Sequence, residues 1–288
     1  KNNYYTNKVV NILREVIEDR FSVTETLFLP SLEGPVYLYV TDSRDPREIK
    51  QKAMTVEDNH PLGRLADIDV YYQSIRGISR KEFNKSYRKC YVCSDSAFNC
   101  MVGKKHSLYD IQKFFKNTVH DYEELPLNII EYTNRAMLLE LCLYPSFGLV
   151  SPYSQGSHND MDHFAFIDSI SVLNRYMIKF AQLGYSHKSY GKLLKEGIRI
   201  GLECEKAMFA VTKGINTHKG LIFVLGSLVV AAMKTLFNNE NFEKIFEHVS
   251  LLTKPKLAEF SAIKENKMSN GEKVFLTHNI MGARLEAS

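Results

Sequence analysis

The chain has 288 residues, 44% of them apolar and 24% charged, with a net charge of +4. That profile fits a soluble globular protein of one large or two ordinary domains, and excludes collagenous or disordered classes. The charge is too small, and too little clustered among aromatics, to suggest a nucleic-acid partner. Five cysteines without a secretory signal point to a reduced, cytoplasmic setting. The longest uncharged run, Gly220 to Met233, is too short to span a bilayer and reads as a buried helix. The chain starts at Lys1 rather than at an initiator Met, so a fragment is expected.

In chain order, Val9, Val10, Ile12, Leu13, Val16 and Ile17 predict a helix over 4–20. Val23 to Leu29 and Val36 to Val40 predict strands, parted by Pro30 and a Gly34-Pro35 turn. Asp45-Pro46 opens a helix that runs to about Glu57. In His60-Pro-Leu-Gly-Arg-Leu-Ala-Asp-Ile-Asp-Val70, the alternation from Leu65 to Tyr72 predicts a strand with Asp67 and Asp69 on one face. Such a pair can hold Mg²⁺ against a polyphosphate, with His60 and Arg64 placed for the leaving pyrophosphate. A solvated acidic strand face accounts for the same pattern. Cys90-x2-Cys93-x6-Cys100-x5-His106 is a workable zinc set, against which stands the reading of reduced, buried cysteines.

The polar run His120 to Leu125 is the boundary candidate, giving domains 1–122 and 126–288. The first is expected to be α+β with a small mixed sheet, the second an all-α bundle. Pro126 to Leu143 predicts a helix, and Tyr144 to Pro152 a loop. Gly156-Ser-His-Asn-Asp-Met-Asp-His163 precedes a helix carrying Phe164, Ile167, Ile170, Leu173, Met177 and Phe180, with Gly184 as its stop. A further helix spans about Tyr190 to Ala210. Gly214-Ile-Asn-Thr-His-Lys-Gly220 then opens an apolar, central helix to about Leu236. Two parallel helices would bring both polar motifs to one end of the bundle. There His158, Asp160 and Asp162 supply metal ligands or a base, while Gly214, Asn216, Thr217, His218, Lys219 and Gly220 supply contacts to phosphate. The plainer alternative makes Asp160 an N-cap and the glycines turn punctuation.

His60 to Val70, Cys90 to Cys100 and Gly103-Lys-Lys-His106 resemble holo-citrate-lyase synthase, the phosphoribosyl-dephospho-CoA transferase that loads the acyl carrier subunit of citrate lyase. Gly148-Leu-Val150, Gly156 to Met161, Gly214 to Gly220 and Gly271-Glu272 resemble triphosphoribosyl-dephospho-CoA synthase, and the order matches fusions of the two activities. The resemblance covers nearly the whole chain and is incomplete at both ends. It departs from the family pattern at Leu285, where a Gly is expected. It departs again at Pro145-Ser-Phe-Gly-Leu-Val-Ser151, where relatives carry Pro-Lys-Pro-Gly-Leu-Val-Asp.

The resemblance implies a bifunctional transferase. ATP and 3′-dephospho-CoA would give 2′-(5″-triphosphoribosyl)-3′-dephospho-CoA and adenine. A serine of the carrier would then take phosphoribosyl-dephospho-CoA and release pyrophosphate. Asp67 and Asp69 would serve the second step with Mg²⁺, and Asp160, Asp162 and His158 the first. Partners would be the carrier subunit and nucleotides, with no nucleic-acid polymer and no membrane. The alternatives are a metal-dependent phosphohydrolase, although no adjacent His-Asp pair is present, and a non-catalytic carrier-binding fragment.

Overall fold

A computed structural model describes residues 4–30, 34–72 and 76–257, the last three of these by backbone alone. Contacts divide the chain into two compact units, Lys1–Glu124 and Leu125–Ser288. The motifs Gly271-Glu272 and Gly282 to Glu286 lie outside the described residues.

The first unit opens with helix α1, Tyr4–Arg20. Its Val9, Leu13 and Val16 follow three- and four-residue steps and are buried. Strands β1, Val23–Leu29, and β2, Val36–Thr41, pair antiparallel, with Leu27 opposite Leu38. Helix α2, Pro46–Asn59, is capped by the Asp45 carboxylate, which accepts from Arg47 N at 2.9 Å, with Pro in the first turn. It lays Ile49, Ala53 and Val56 on the same core as α1, joined by Phe21, Leu62 and Val119. Strands β3, Tyr71–Tyr72, and β4, Arg76–Gly77, form a second antiparallel pair. Among the described residues both sheets are thus two-stranded and antiparallel rather than mixed. Helix α3, Ala97–Val102, follows.

The strand predicted from Leu65 shrinks to Tyr71–Tyr72. Leu65 closes a 3-10 turn, Gly63–Leu65, and 66–70 carry no ladder. The backbone of Ile68 is held by side chains instead: Glu57 accepts its N–H at 2.8 Å and Lys50 donates to its carbonyl at 2.8 Å. The alternation itself survives, since Asp67 and Asp69 are exposed while Ile68 and Val70 are half-buried.

Helix α4, Leu108–Cys142, begins well before the predicted start and carries Pro126 inside it. A proline is locally a start signal; inside a helix it costs one backbone donor and some bending. The second unit continues with α5, His163–Gly184, α6, Tyr190–Val211, α7, Lys219–Asn238, and α8, Lys244–Leu257. Helix α5 buries Ile170, Leu173, Met177 and Phe180 as its spacing predicts, whereas Phe164 and Ile167 stay exposed. Each fully buried side chain of this kind contributes about 1.5–3 kcal/mol.

Helices α5 and α7 run parallel. A Cβ on Gly226 would meet the Phe180 ring at 2.9 Å, and one on Gly184 would meet the Val230 carbonyl oxygen at 2.3 Å, so contacts advance together along both helices. Helix α6 runs the other way, with Lys179 on Glu203 and Leu183 against Gly197. Among the described residues α7 alone is long and apolar enough to cross a bilayer. It packs against α5, α6 and α8, and its Lys234 ammonium donates to the carbonyl of Ser186 at 2.7 Å, as expected of a core helix.

Candidate active sites

In the first unit the segment around Asp67 and Asp69 is built on a close backbone approach. A Cβ on Gly63 would sit 2.1 Å from the Val56 carbonyl oxygen, so glycine there lets the turn press onto the end of α2. Two charged residues missed by the sequence reading, Lys50 and Glu57, are 4% and 2% exposed. They lie on one stripe of α2 with buried Met54, so charges interrupting an apolar helical stripe were the available signal. Arg80 and Arg88 stand 3.2 and 3.6 Å from the Glu57 carboxylate. Arg88 also reaches Asp67 at 3.3 Å, and Lys50 lies 3.9 Å from Asp69. A buried anion ringed by cations therefore underlies two exposed carboxylates that face solvent on the same side of the segment.

His60 and Arg64 do not stand free for a pyrophosphate. His60 is 6% exposed; its Nδ1 accepts from Leu62 N at 3.0 Å and its ring stacks on Tyr122. Arg64 donates to the carbonyls of Lys89 and Cys90 at 2.9 and 2.8 Å. Both residues brace the loop. The cations nearer the carboxylates are Arg88 and Lys50.

Cys90, Cys93, Cys100 and His106 come together, with one ligand atom from each within 4.8 Å of all the others. Burial and the neighbouring Cys93 and Cys90 thiols push the Cys100 thiol up to about 12. The Cys90 thiol is lowered despite its own burial, because the N–H groups of Val92 and Cys93 and the neighbouring thiols favour its charged form.

In the second unit the loop before α5 closes on itself. Ser157 N donates to the Gly148 carbonyl at 2.8 Å. Gly156 has φ +59°, and a Cβ there would stand 2.2 Å from the Gly148 oxygen, so only glycine fits. Val150 and Met161, only 3% and 7% exposed, pin the loop to the core. The N-cap of α5 is Asp162 rather than Asp160: its Oδ1 accepts from Ala165 N at 3.0 Å. Asp160 and His158 are exposed, with Asp160 Oδ1 3.9 Å from His158 Nδ1.

Gly214, at φ +90°, turns the chain out of α6. Asn216 Oδ1 accepts from Lys219 N at 3.2 Å, and Lys219 with Gly220 already belongs to α7. His218 reaches into the opening turns of α5: its Nδ1 lies 2.7 Å from Ser169 Oγ and its ring is edge-on to Phe166. Thr217 Oγ1 lies 3.2 Å from the same nitrogen. His218 thus ties the second motif to the early turns of α5, the helix that follows the first motif. The ring is 5% exposed, and burial pushes its pKa down to about 4, so at neutral pH it carries no charge for a triphosphate. Lys219 is the exposed cation there, paired with Glu205 at 2.6 Å.

The architecture is that of a two-part chain, a small α+β unit followed by a helical bundle with a polar cluster where parallel helices begin. Residues 127–288 match the family model described as ATP:dephospho-CoA triphosphoribosyl transferase, and residues 1–122 match that described as apo-citrate lyase phosphoribosyl-dephospho-CoA transferase. The chain belongs to the first of these families and carries the second family's region ahead of it, in the order of the fused proteins. It is 33% identical to Protein CitXG of Leuconostoc mesenteroides subsp. cremoris, over 97% of this chain and 63% of that protein. Protein CitXG of Haemophilus influenzae is 32% identical over 84% of this chain and 54% of its own length. The 2-(5″-triphosphoribosyl)-3′-dephosphocoenzyme-A synthase of Pectobacterium atrosepticum is 33% identical over 60% of each. The chain spans between about half and two thirds of the curated relatives it matches.

Proposed function

We propose that the full protein makes and attaches the citrate lyase prosthetic group in the cytoplasm, using two separate sites. The observation that carries this is the pairing of the family order with two polar clusters, one in each unit, both exposed to solvent.

In the second unit ATP and 3′-dephospho-CoA meet where α5 and α7 begin. The bond from the ribosyl C1′ of ATP to adenine breaks as a bond forms from C1′ to the 2′-hydroxyl of dephospho-CoA. The hydroxyl proton passes to a carboxylate and from there to the departing adenine, so no proton is gained or lost overall. Asp160, exposed and unconstrained by a cap, is the residue for that base, with His158 beside it. The developing positive charge on C1′ is stabilised by the same carboxylate. Lys219 and the first N–H groups of α7 hold the triphosphate. His218 positions the two helices as a neutral ring.

In the first unit a serine of the acyl carrier subunit attacks the α-phosphate of the triphosphoribosyl product, and pyrophosphate leaves. Asp67 and Asp69 fit Mg²⁺, being exposed on one side of a pinned segment; the ion would neutralise phosphate charge. Arg88 and Lys50 hold the two carboxylates in place until then.

Incubating the full-length parent with ATP and dephospho-CoA tests this by mass spectrometry of the products. Adenine and the triphosphoribosyl adduct are expected in equal amounts. Phosphate in place of adenine would make the second unit a phosphohydrolase, and neither product would leave only a binding role.

A further inference from the structure

We propose that Cys90, Cys93, Cys100 and His106 form a closed structural zinc site that holds residues 88–106 together and, through Arg64, positions the Asp67 segment. The argument begins with what this stretch lacks. The unit's apolar cluster draws on α1, α2, Leu62, Leu65–Val70 and the early part of α4, and no described residue between Val70 and Phe115 joins it. Phe98, Met101 and Val102 are 56%, 71% and 66% exposed. A segment without a core of its own needs a staple, and a metal is one of the few available in a reducing compartment.

The backbone is already shaped for one. Lys89 bridges Ser96, Cys90 N donates to the Asp95 carbonyl at 2.7 Å and Ala97 N to the Arg88 carbonyl at 2.8 Å, which closes a knuckle around Cys90 and Cys93. Val92 N points at Cys90 Sγ from 3.4 Å, the arrangement in which backbone N–H groups support a thiolate ligand. Ser96 caps α3, which delivers Cys100 from the opposite side. Lys104 takes the left-handed conformation, φ 45°, and returns the chain so that His106 faces the sulfurs. The Lys105–Asp95 pair at 2.7 Å ties this return to the knuckle.

The spacing of the ligand atoms fits the ion. Zn–S bonds of about 2.3 Å and Zn–N bonds of about 2.1 Å in a tetrahedron put neighbouring ligand atoms roughly 3.5–3.8 Å apart. Cys93 Sγ lies 3.4 Å from Cys100 Sγ and 3.3 Å from His106 Nε2, and the whole set spans at most 4.8 Å. Four protein ligands leave no open position, which marks a structural rather than a catalytic site. Three soft sulfurs and one imidazole select zinc over magnesium or calcium. Because Arg64 donates to the carbonyls of Lys89 and Cys90, and Arg88 to the Arg64 carbonyl, the clip is wired to the segment that carries Asp67.

The test uses reduced, full-length protein. Elemental analysis should find about one zinc ion per chain, and Co²⁺ put in its place should give the visible absorption of a tetrahedral sulfur-rich site. Cys93→Ser and Cys100→Ser should lose the ion, whereas Cys142→Ser and Cys204→Ser should keep it. Chelation of the unsubstituted protein should lower the melting temperature of the first unit, and zinc should restore it. Freely titrating thiols at Cys90, Cys93 and Cys100 with no bound metal, no cobalt spectrum and no response to chelation would overturn the proposal. A disulfide between Cys93 and Cys100 in the freshly purified, reduced protein would do the same.

Discussion

The two candidate sites are held by different physics. In the bundle, the Asp160 loop and the Gly214 loop sit where helices start, and the helices are fixed by apolar packing. In the first unit, the Asp67 segment has neither helix nor ladder. It rests on a glycine pressed against α2, on Glu57 and Lys50 bonded to the Ile68 backbone, and on two arginines around that buried carboxylate. A site hung on helix packing should tolerate the loss of single polar contacts. One hung on a buried charge network should not, because each partner removed leaves another charge uncompensated.

The sharpest way to break that contrast is Glu57→Ala. The carboxylate is 2% exposed and faces Arg80, Arg88 and Ile68 N, so its removal should cost the first unit about 3–5 kcal/mol in a denaturation measurement. Removing Asn174, whose amide bonds Asn134 at 2.9 Å in the second unit, should cost only about 0.5–1.5 kcal/mol.

The bundle has its own vulnerability, which is pH. His218 is neutral because burial lowers its pKa from 6.5 to about 4. Unfolded protein takes up the proton first as pH falls, so the stability this ring supports is complete above about 6.5 and is lost down to about 4. Across that window the second unit should lose about 3 kcal/mol, and His218→Gln should flatten the profile. A second unit that weakened equally over the same range in the variant would place the pH dependence elsewhere.

Glycine substitutions sharpen the comparison with smaller effects. Gly63→Ala should destabilise the first unit by about 1–3 kcal/mol, since the added carbon meets the backbone oxygen of Val56. Gly197→Ala in α6 meets only the end of Leu183 at 3.8 Å and should stabilise the second unit by about 0.5–1 kcal/mol. Thermal melts that gave both changes the same sign would contradict the packing described.

The same contrast explains what could be read from sequence. Helical periodicity located α1, α2, α5, α6 and α7 to within a few residues, because each buries a stripe and each begins or ends at a signal such as Asp45-Pro46 or Gly184. The sequence places both polar motifs ahead of core helices, but the parallel course of α5 and α7 rests on long-range contacts such as Phe180 with Gly226, which no local pattern encodes. The extent of α4 is not legible locally, because Pro126 is by type a start signal and yet stands inside the helix. The pinning of the Asp67 segment by Glu57, Lys50 and Arg88 joins residues 11 to 31 positions apart through side chains, and no local period encodes such pairs. His218 was legible as part of a motif but not as a buried ring, since burial depends on Phe166 and Ser169.

Two separable active sites in one chain are the central claim, and reciprocal substitutions in the full-length parent test it most directly. Mass spectrometry would follow adenine release from ATP and dephospho-CoA, and loading of the apo carrier from supplied triphosphoribosyl-dephospho-CoA. Asp160→Asn should reduce adenine release by about 10²-fold or more and leave loading unchanged. Asp67→Asn should reduce loading by a similar factor and leave adenine release unchanged. If either folded variant lost both activities together, or kept both, the assignment of one reaction to each unit would be contradicted.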